Sequence, residues 1–108
     1  MNTAAALKAL GEPMRFKIFS CLLERKHCVR SLSRKLGITE SAVSQHLKVM
    51  REAGMIYGEK YGYHTHYLPK QEILDNLLEL FKAMQQKSID LDRDMTVCQC
   101  EYRKWEQK

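Results

Sequence analysis

The stretch ITESAVSQHLKVMREAG, residues 38–54, decides the predicted fold of this 108-residue chain. At 100° per residue, Val43, Leu47 and Met50 fall on one side of a helix. The opposite side carries small or charged polar groups, at Ser41, Ser44, Gln45, Lys48 and Glu52. Thr39 can cap the start of this helix, and Glu40 suits its positive end. We therefore expect an amphipathic helix that is anchored on one side and offers hydrogen-bonding groups on the other.

The segments before this helix predict three more helices. Val29, Leu32 and Leu36 repeat at helical spacing, and Gly37 stops that helix. Further upstream, a short helix ends at Gly11, for which we expect a left-handed backbone, and Pro13 opens a helix that runs to about residue 25. This helix is expected to bury Ile18, Phe19, Cys21, Leu22 and Leu23.

The segment after Gly54, MIYGEKYGYHTHYLP, predicts a β-hairpin that turns around Gly62 and ends at Pro69. A long helix is expected from about Gln71 to Lys87 or beyond. Its apolar side chains cover roughly 160° of the wheel, more than the approximately 100° that one core requires. The excess apolar surface predicts a second partner. These side chains are Ile73, Leu74, Leu77, Leu78, Leu80, Phe81 and Met84.

Length and charge narrow the class of protein. The chain is long enough for one domain. Residues 1–70 hold twelve Lys/Arg against five Asp/Glu, whereas residues 71–108 hold six against eight, so the positive field belongs to the front of the chain and favours a polyanionic partner. There is no Ser/His/Asp arrangement, Gly-rich phosphate loop or pair of carboxylates tied to a pocket, so we do not expect an enzyme.

The sequence also predicts the cellular compartment of the protein and the redox state of its cysteines. No apolar run approaches the roughly 20 residues that a membrane span needs, and the N-terminus lacks a signal-peptide pattern, so we expect a cytoplasmic protein without a membrane partner. In a reducing compartment, four cysteines do not favour a structural disulfide framework. They are interpreted as buried thiols, metal ligands or redox groups, at Cys21, Cys28, Cys98 and Cys100.

Two helices joined by a Gly-containing turn and followed by a two-stranded wing predict a winged helix-turn-helix, a mainly α fold with a β-hairpin, whose second helix enters the major groove of DNA. The strings LGEPMRFKIF, SLSRKLGITESAVSQHLKVMREAGMI and HYLP make the chain resemble the ArsR-type (ArsR/SmtB) winged-helix repressors over about residues 7–68. The resemblance implies a homodimeric repressor that an inducer releases from a DNA operator. The expected segments within the single domain 1–108 are a dimerisation helix at 1–11, the helix-turn-helix at 28–54, the wing at 55–68, a second dimerisation helix at 71–95 and a Cys-containing tail at 96–108.

The resemblance also implies which residues contact DNA. The family's DNA-reading positions fall on Ser41, Ala42, Ser44, Gln45 and His46, with Lys48 and Arg51 nearby. His46 lies beside the buried stripe of the wheel, which favours packing or a phosphate contact over base reading. In the wing, Lys60, Tyr61 and His64 are candidates for contacts with phosphates or the minor groove, the alternative being an ordinary exposed hairpin.

The family's sensors of arsenic and cadmium imply where an inducer would bind. Those sensors carry Cys-Val-Cys at the start of the third helix, whereas this chain has Cys28 at the first thiol position and Arg30 at the second, so that site is broken. A three-sulfur site from Cys28, Cys98 and Cys100 would suit arsenite or a soft divalent metal ion. The alternatives are inert thiols or a redox link between Cys98 and either Cys21 or Cys28.

The residues favour neither of two further metal sites nor a purely protein-binding role. The family's other metal site uses His and acidic residues of the last helix, which here offers Glu72, Asp75 and Glu79 but no His, so we do not expect that site. His64 and His66 share one face of a strand but lack evident further ligands. A winged-helix module that binds protein instead of DNA is disfavoured by the basic front half of the chain.

Overall fold

The computed structural model describes residues 2–93, and the predicted elements occur there in the predicted order. The fold class is confirmed as a mainly α winged helix with one hairpin. The elements are α1 (Thr3–Leu10), α2 (Pro13–Glu24), α3 (Val29–Leu36), α4 (Glu40–Glu52), β1 (Ile56–Tyr61), β2 (His64–Pro69) and α5 (Gln71–Asp90).

The corner between α1 and α2 differs from the prediction. Gly11 keeps a right-handed backbone, with φ −70° and ψ −14°, so the expected left-handed conformation is wrong. The chain turns instead at Glu12, whose extended backbone lets its carboxylate accept the N–H groups of Met14 and Arg15 at 2.6 and 2.9 Å. Arg15 Nε in turn donates to the carbonyl oxygen of Ala9 at 2.8 Å. Because these side chains satisfy both helix ends, no left-handed residue is needed there.

The second helix buries most of its predicted stripe. Ile18, Phe19, Cys21 and Leu22 are buried, whereas Leu23 is 53% exposed, so the prediction for Leu23 is wrong. Leu23 lies seven positions after Phe16 and therefore shares the outer face of the helix with that exposed side chain.

The helix-turn-helix is held by a shared core and by a left-handed turn. Leu32, Val43 and Met50 are fully buried. Gly37 has the expected positive φ, 69°, which lets its N–H and that of Ile38 both donate to the Ser33 carbonyl oxygen, at 2.9 and 3.3 Å. Thr39 Oγ1 then accepts the Ala42 N–H at 3.0 Å, which confirms the predicted cap of α4.

The wing follows α4 after a three-residue link. Gly54, with φ 76°, ends the helix, and the Met55 N–H donates to the Met50 carbonyl oxygen at 3.0 Å. The two strands pair antiparallel from Ile56↔Pro69 to Tyr61↔His64, and Gly62 takes the predicted positive φ, 61°, at the tip. Met55 and Ile56 are fully buried and so anchor the root of the wing in the core.

The last helix packs on the body through its first half only. Ile73 and Leu77 are buried, whereas every residue from 81 to 90 is exposed. The helix ends at Asp90 rather than near 95, because Leu91 becomes extended and the Arg93 guanidinium donates to the Ser88 carbonyl oxygen at 2.7 Å. The predicted tail 96–108, with Cys98 and Cys100, lies outside the described residues. Among residues 2–93 no helix has an apolar stretch long enough to cross a bilayer.

Substitution of two glycines tests the backbone conformations assigned to them, left-handed at Gly37 and right-handed at Gly11. Gly37→Ala should lower the free energy of unfolding by about 1–2 kcal/mol, because a left-handed backbone is strained for alanine even though nothing lies within 4 Å of the added Cβ. Gly11→Ala should be neutral or stabilising by up to about 1 kcal/mol, since its backbone is already helical. Urea unfolding at one protein concentration measures both, and equal effects at the two positions would contradict the assigned conformations.

Candidate nucleic-acid interface

The outer face of α4 is the polar surface that the sequence predicts. Burial of Val43, Leu47 and Met50 turns the other side of the helix outward. Ala42 and His46 are half-buried at the edges of that side. The exposed side chains between these edges are Ser41, Ser44, Gln45, Lys48 and Arg51. Hydroxyl, amide and cationic groups on a helix of this kind match the base edges and phosphates of a major groove.

His46, on α4, lies near the start of α2. The pKa of the Glu12 carboxyl lies below its ordinary value, chiefly because the carboxylate accepts the Arg15 N–H. Burial acts to raise this pKa, whereas the Met14 N–H and the charge of His46 lower it by smaller amounts. His46 is thus close enough to Glu12 for their charges to interact. This position is compatible with the predicted packing role, and the side chain is half-buried.

The wing carries one predicted contact residue that already has partners. The Tyr61 hydroxyl accepts a hydrogen bond from Lys26 Nζ at 2.9 Å and donates one to Glu59 Oε1 at 2.8 Å. The Lys26 ammonium also lies 4.1 Å from the centre of the Tyr61 ring, and the ring of His66 lies 5.0 Å from it between centroids. The hydrogen bond to Tyr61 raises the pKa of Lys26. Tyr61 therefore helps to hold the wing in place.

The free end of the wing offers other groups. Lys60 and His64 are exposed as predicted, and Tyr63 at the tip is fully exposed. Tyr63 was not among the predicted contact residues, although an aromatic residue directly after the turn glycine of a hairpin is a signal for a side chain at the tip. Lys26 was also missed, because its partner lies 35 positions away in the chain.

His27 joins the wing to the start of α3. Its carbonyl oxygen accepts the Tyr67 N–H at 2.8 Å, and its ring Nδ1 lies 2.8 Å from Ser31 Oγ. The ring is 3% exposed, and among the described residues Nε2 has no hydrogen-bond partner; the same holds for the buried Nδ1 of His66. Burial lowers the pKa of His27, and the charges of Arg25 and Lys35 lower it further, with Glu24 opposing them. The imidazole is therefore neutral near pH 7.

Cys28 is the described member of the predicted three-sulfur site. It is the N-cap residue of α3 and is half-buried. Burial acts to raise the pKa of the thiol, but hydrogen bonding from the N–H and hydroxyl of Ser31 and from the Arg30 N–H outweighs it, and the pKa lies below its ordinary value. Cys21 is 6% exposed in the core. Cys98 and Cys100 fall outside the described residues, and within 2–93 no three His, Cys, Asp or Glu side chains are grouped so as to hold a metal ion.

Comparison with known proteins agrees with the resemblance found in the sequence. A family model described as "Bacterial regulatory protein, arsR family" matches residues 12–57. The HTH-type transcriptional repressor SmtB of Mycobacterium tuberculosis is 41% identical over 56 residues, which are 52% of this chain and 42% of the repressor. The transcriptional activator HlyU of Vibrio cholerae is 31% identical over 86 residues, which are 77% of this chain and 80% of the activator. The chain spans about half the length of the first curated relatives that it matches.

Solved structures share the fold over most of the described residues. The crystal structure of a possible transcriptional regulator for arsenical resistance matches with a TM-score of 0.66 at 27% identity, and the match covers 82% of this chain and 97% of the other. The family model describes regulatory proteins rather than enzymes, as the sequence analysis expected.

The buried imidazole of His27 predicts a pH dependence of stability. Because the pKa of His27 is lower in the folded protein than the ordinary value of about 6.5, the unfolded chain binds the proton more tightly. Stability should therefore fall as the pH drops below about 6.5, until the folded protein takes up the proton too. Urea unfolding between pH 7.5 and 5 should show this slope in the parent and a smaller one in His27→Gln.

The exposed His64 provides the control, since His64→Gln should keep the slope of the parent. A slope that is unchanged in His27→Gln would show that another group causes the pH dependence.

Proposed function

Because this chain belongs to the ArsR family of bacterial regulatory proteins, we propose that it is a homodimeric transcriptional repressor that binds a double-stranded DNA operator. The observation that carries the proposal is the geometry of α4. Its buried side holds the helix against the core, and its free side presents polar and cationic groups. This helix belongs to the basic part of the chain, as a contact with DNA requires.

We assign base reading to the exposed polar groups of α4. Gln45 can pair with the N6 and N7 atoms of an adenine, and the hydroxyls of Ser41 and Ser44 can donate to or accept from either strand. Lys48 and Arg51 are assigned to phosphates or guanine edges, whereas Ala42 contributes an apolar contact and His46 a phosphate contact or packing. Lys60 and His64 would place the wing against the neighbouring backbone, and Tyr61 would hold it there.

We propose that a second copy of the chain covers the outer face of α5. Leu78, Phe81 and Met84 are each about half exposed, at 54%, 49% and 55%, and the last two lie in the part of the helix that has left the body. α1 packs beside α5 and adds Leu7, which is 37% exposed. A twofold pair would space two α4 helices about one turn of DNA apart, roughly 34 Å, which favours a pseudo-palindromic operator.

We propose that arsenite or a thiophilic metal ion, bound by Cys28, Cys98 and Cys100, releases the operator. The support is chemical: the thiol of Cys28 has a pKa below its ordinary value and is half-buried at the start of the helix-turn-helix, so that it loses its proton to a bound ion more readily than an ordinary thiol, at a place where a ligand would act on DNA binding. Oxidation is the alternative, and the exposure of the two described thiols favours Cys28 over the buried Cys21 as the partner of Cys98.

Activation of transcription is a second candidate for the same fold. It is favoured by the similarity to the activator HlyU, which extends over 77% of this chain. Transcription in vitro from a promoter that contains the bound site would separate the two, since a repressor lowers and an activator raises the amount of transcript.

Two substitutions on α4 should separate base reading from phosphate binding. Gln45→Ala should weaken binding to a duplex enriched by in vitro selection by about 1–3 kcal/mol per half-site, with little effect on a scrambled duplex. Lys48→Ala should weaken both duplexes alike and reduce the slope of log K against log salt concentration by about 1 per protomer. Fluorescence anisotropy titrations at several salt concentrations measure both quantities.

The base-reading role of Gln45 would be refuted by a Gln45→Ala protein that distinguishes the selected duplex from the scrambled one as well as the parent does. If the parent itself shows no preference among sequences in the selection, the proposed function is wrong.

The inducer site is tested by titrating arsenite, cadmium, zinc and a mild oxidant against the protein–DNA complex. The parent should release the selected duplex on addition of arsenite or a soft metal ion, because thiolates bind such ions. Cys28→Ser and the double variant Cys98→Ser/Cys100→Ser should both lose this response. Cys21→Ala is the matched control and should respond like the parent. Release of DNA from all variants alike would rule out the three-sulfur site, and release by oxidant alone would favour the redox alternative.

A further inference from the structure

Four cationic side chains line one cleft on the outer side of α3, and the proposed function does not use them. The cleft has a volume of about 570 Å³. Arg25 comes from the end of α2, and the other three cations lie along α3; they are Arg30, Arg34 and Lys35. Ser31, the wing residue His64 and Cys28, the thiol of the proposed inducer site, also line it, and no Asp or Glu is among the described residues of its lining. All four cations are exposed.

The stability of the helix does not account for all of these charges. Arg34 and Lys35 stand in the last turn of α3, where positive charge interacts favourably with the helix dipole. Arg30, in contrast, stands in the first turn, where a cation is unfavourable. Like charges around one cleft also repel one another. An anion bound in the cleft would offset both costs.

The cleft is continuous with the surface assigned to DNA. A neighbouring cleft of about 400 Å³ lies between α3, the start of α4 and the wing, and its lining includes Glu40 and Tyr63. The two clefts share Cys28, Arg30 and His64. A polyanion that lies against α4 and the wing can therefore continue along α3 without leaving the protein surface.

We propose that the cationic cleft of α3 binds phosphates of the DNA backbone that flank the half-site read by α4. This inference rests on the proposed function and extends it, because the protein would cover base pairs outward of those whose edges it reads. Arginine suits the task, since its planar guanidinium forms paired hydrogen bonds with phosphate oxygens. The open form of the cleft and its spread over two helices and the wing favour a continuous backbone over a single small anion.

The test compares one selected duplex in two lengths. The short form ends at the last base pair that the selection specifies, and the long form adds about 10 base pairs of random sequence at each end, which is about one helical turn. The parent should bind the long form more tightly and with a steeper dependence on salt, because further phosphates release counterions. Arg34→Ala/Lys35→Ala should lose this gain, with a slope lower by about 0.9 for each phosphate contact removed, yet should bind the short form like the parent.

Lys82→Ala/Lys87→Ala is the matched control, because it removes two exposed cations from α5 and should keep the gain from the flanks. Arg25→Ala, on the α2 side of the cleft, should reduce the gain in part. Circular dichroism and sedimentation of each variant establish that its fold and assembly match those of the parent.

Three results would overturn the inference. The first is an Arg34→Ala/Lys35→Ala protein that keeps the gain from the flanks. The second is an equal loss of affinity for the short and the long duplex, which would place these cations within the half-site contact. The third is binding of inorganic phosphate, at constant ionic strength, that depends on Arg34 and Lys35 while flanking DNA gives the parent no advantage, which would indicate a site for a small anion. A parent that selects no duplex would refute the proposed function itself, so the two failures are distinguishable.

Discussion

The burial of Val43, Leu47 and Met50 fixes the rotation of α4 about its own axis, and the remaining features of the surface depend on that rotation. A turn of the helix by one residue, about 100°, would bring polar groups into the core at a cost that a domain of this size cannot absorb. The caps at both ends reinforce the constraint, since Thr39 fixes where the helix starts and Gly54 fixes where it stops. The side chains of Gln45 and Lys48 are thereby directed outward by the packing of residues that never touch a partner.

The connection between α2 and α3 is the second organising feature, because it holds the wing. Lys26 binds Tyr61 and His27 binds the backbone of Tyr67, so two consecutive residues attach the hairpin to the helical body. Cys28 follows directly and occupies the N-cap position of α3. A ligand bound at that thiol would therefore act on the same short segment that positions the wing, which gives the proposed inducer a physical route to the DNA surface without any change in the core.

The sequence predicts well the helices and turns that depend on residues only a few positions apart. Periodic apolar side chains located α3 and α4, and Gly37, Thr39 and Gly62 marked their turns correctly, because these effects act within a few residues. The left-handed assignment of Gly11 was wrong because the side chains of Glu12 and Arg15 compete for the same helix ends. The predicted burial of Leu23 was wrong because the apolar pattern alone does not show where the buried stripe of a helix ends. The pairing of Lys26 with Tyr61 and the cationic cleft depend on contacts between distant parts of the chain, which no local pattern contains.

The short link between α4 and the wing restricts how DNA affinity can be regulated. Met55 and Ile56 are fully buried, and the carbonyl oxygen of Met55 accepts the Lys70 N–H at 2.8 Å, so both ends of the hairpin are attached to the end of α4. These contacts hold the distance between α4 and the hairpin fixed within the chain. In the proposed homodimer, regulation would therefore act on the angle between the two chains, on the tip of the hairpin or on access to the surface, since the spacing within one chain is not adjustable without unpacking the interior.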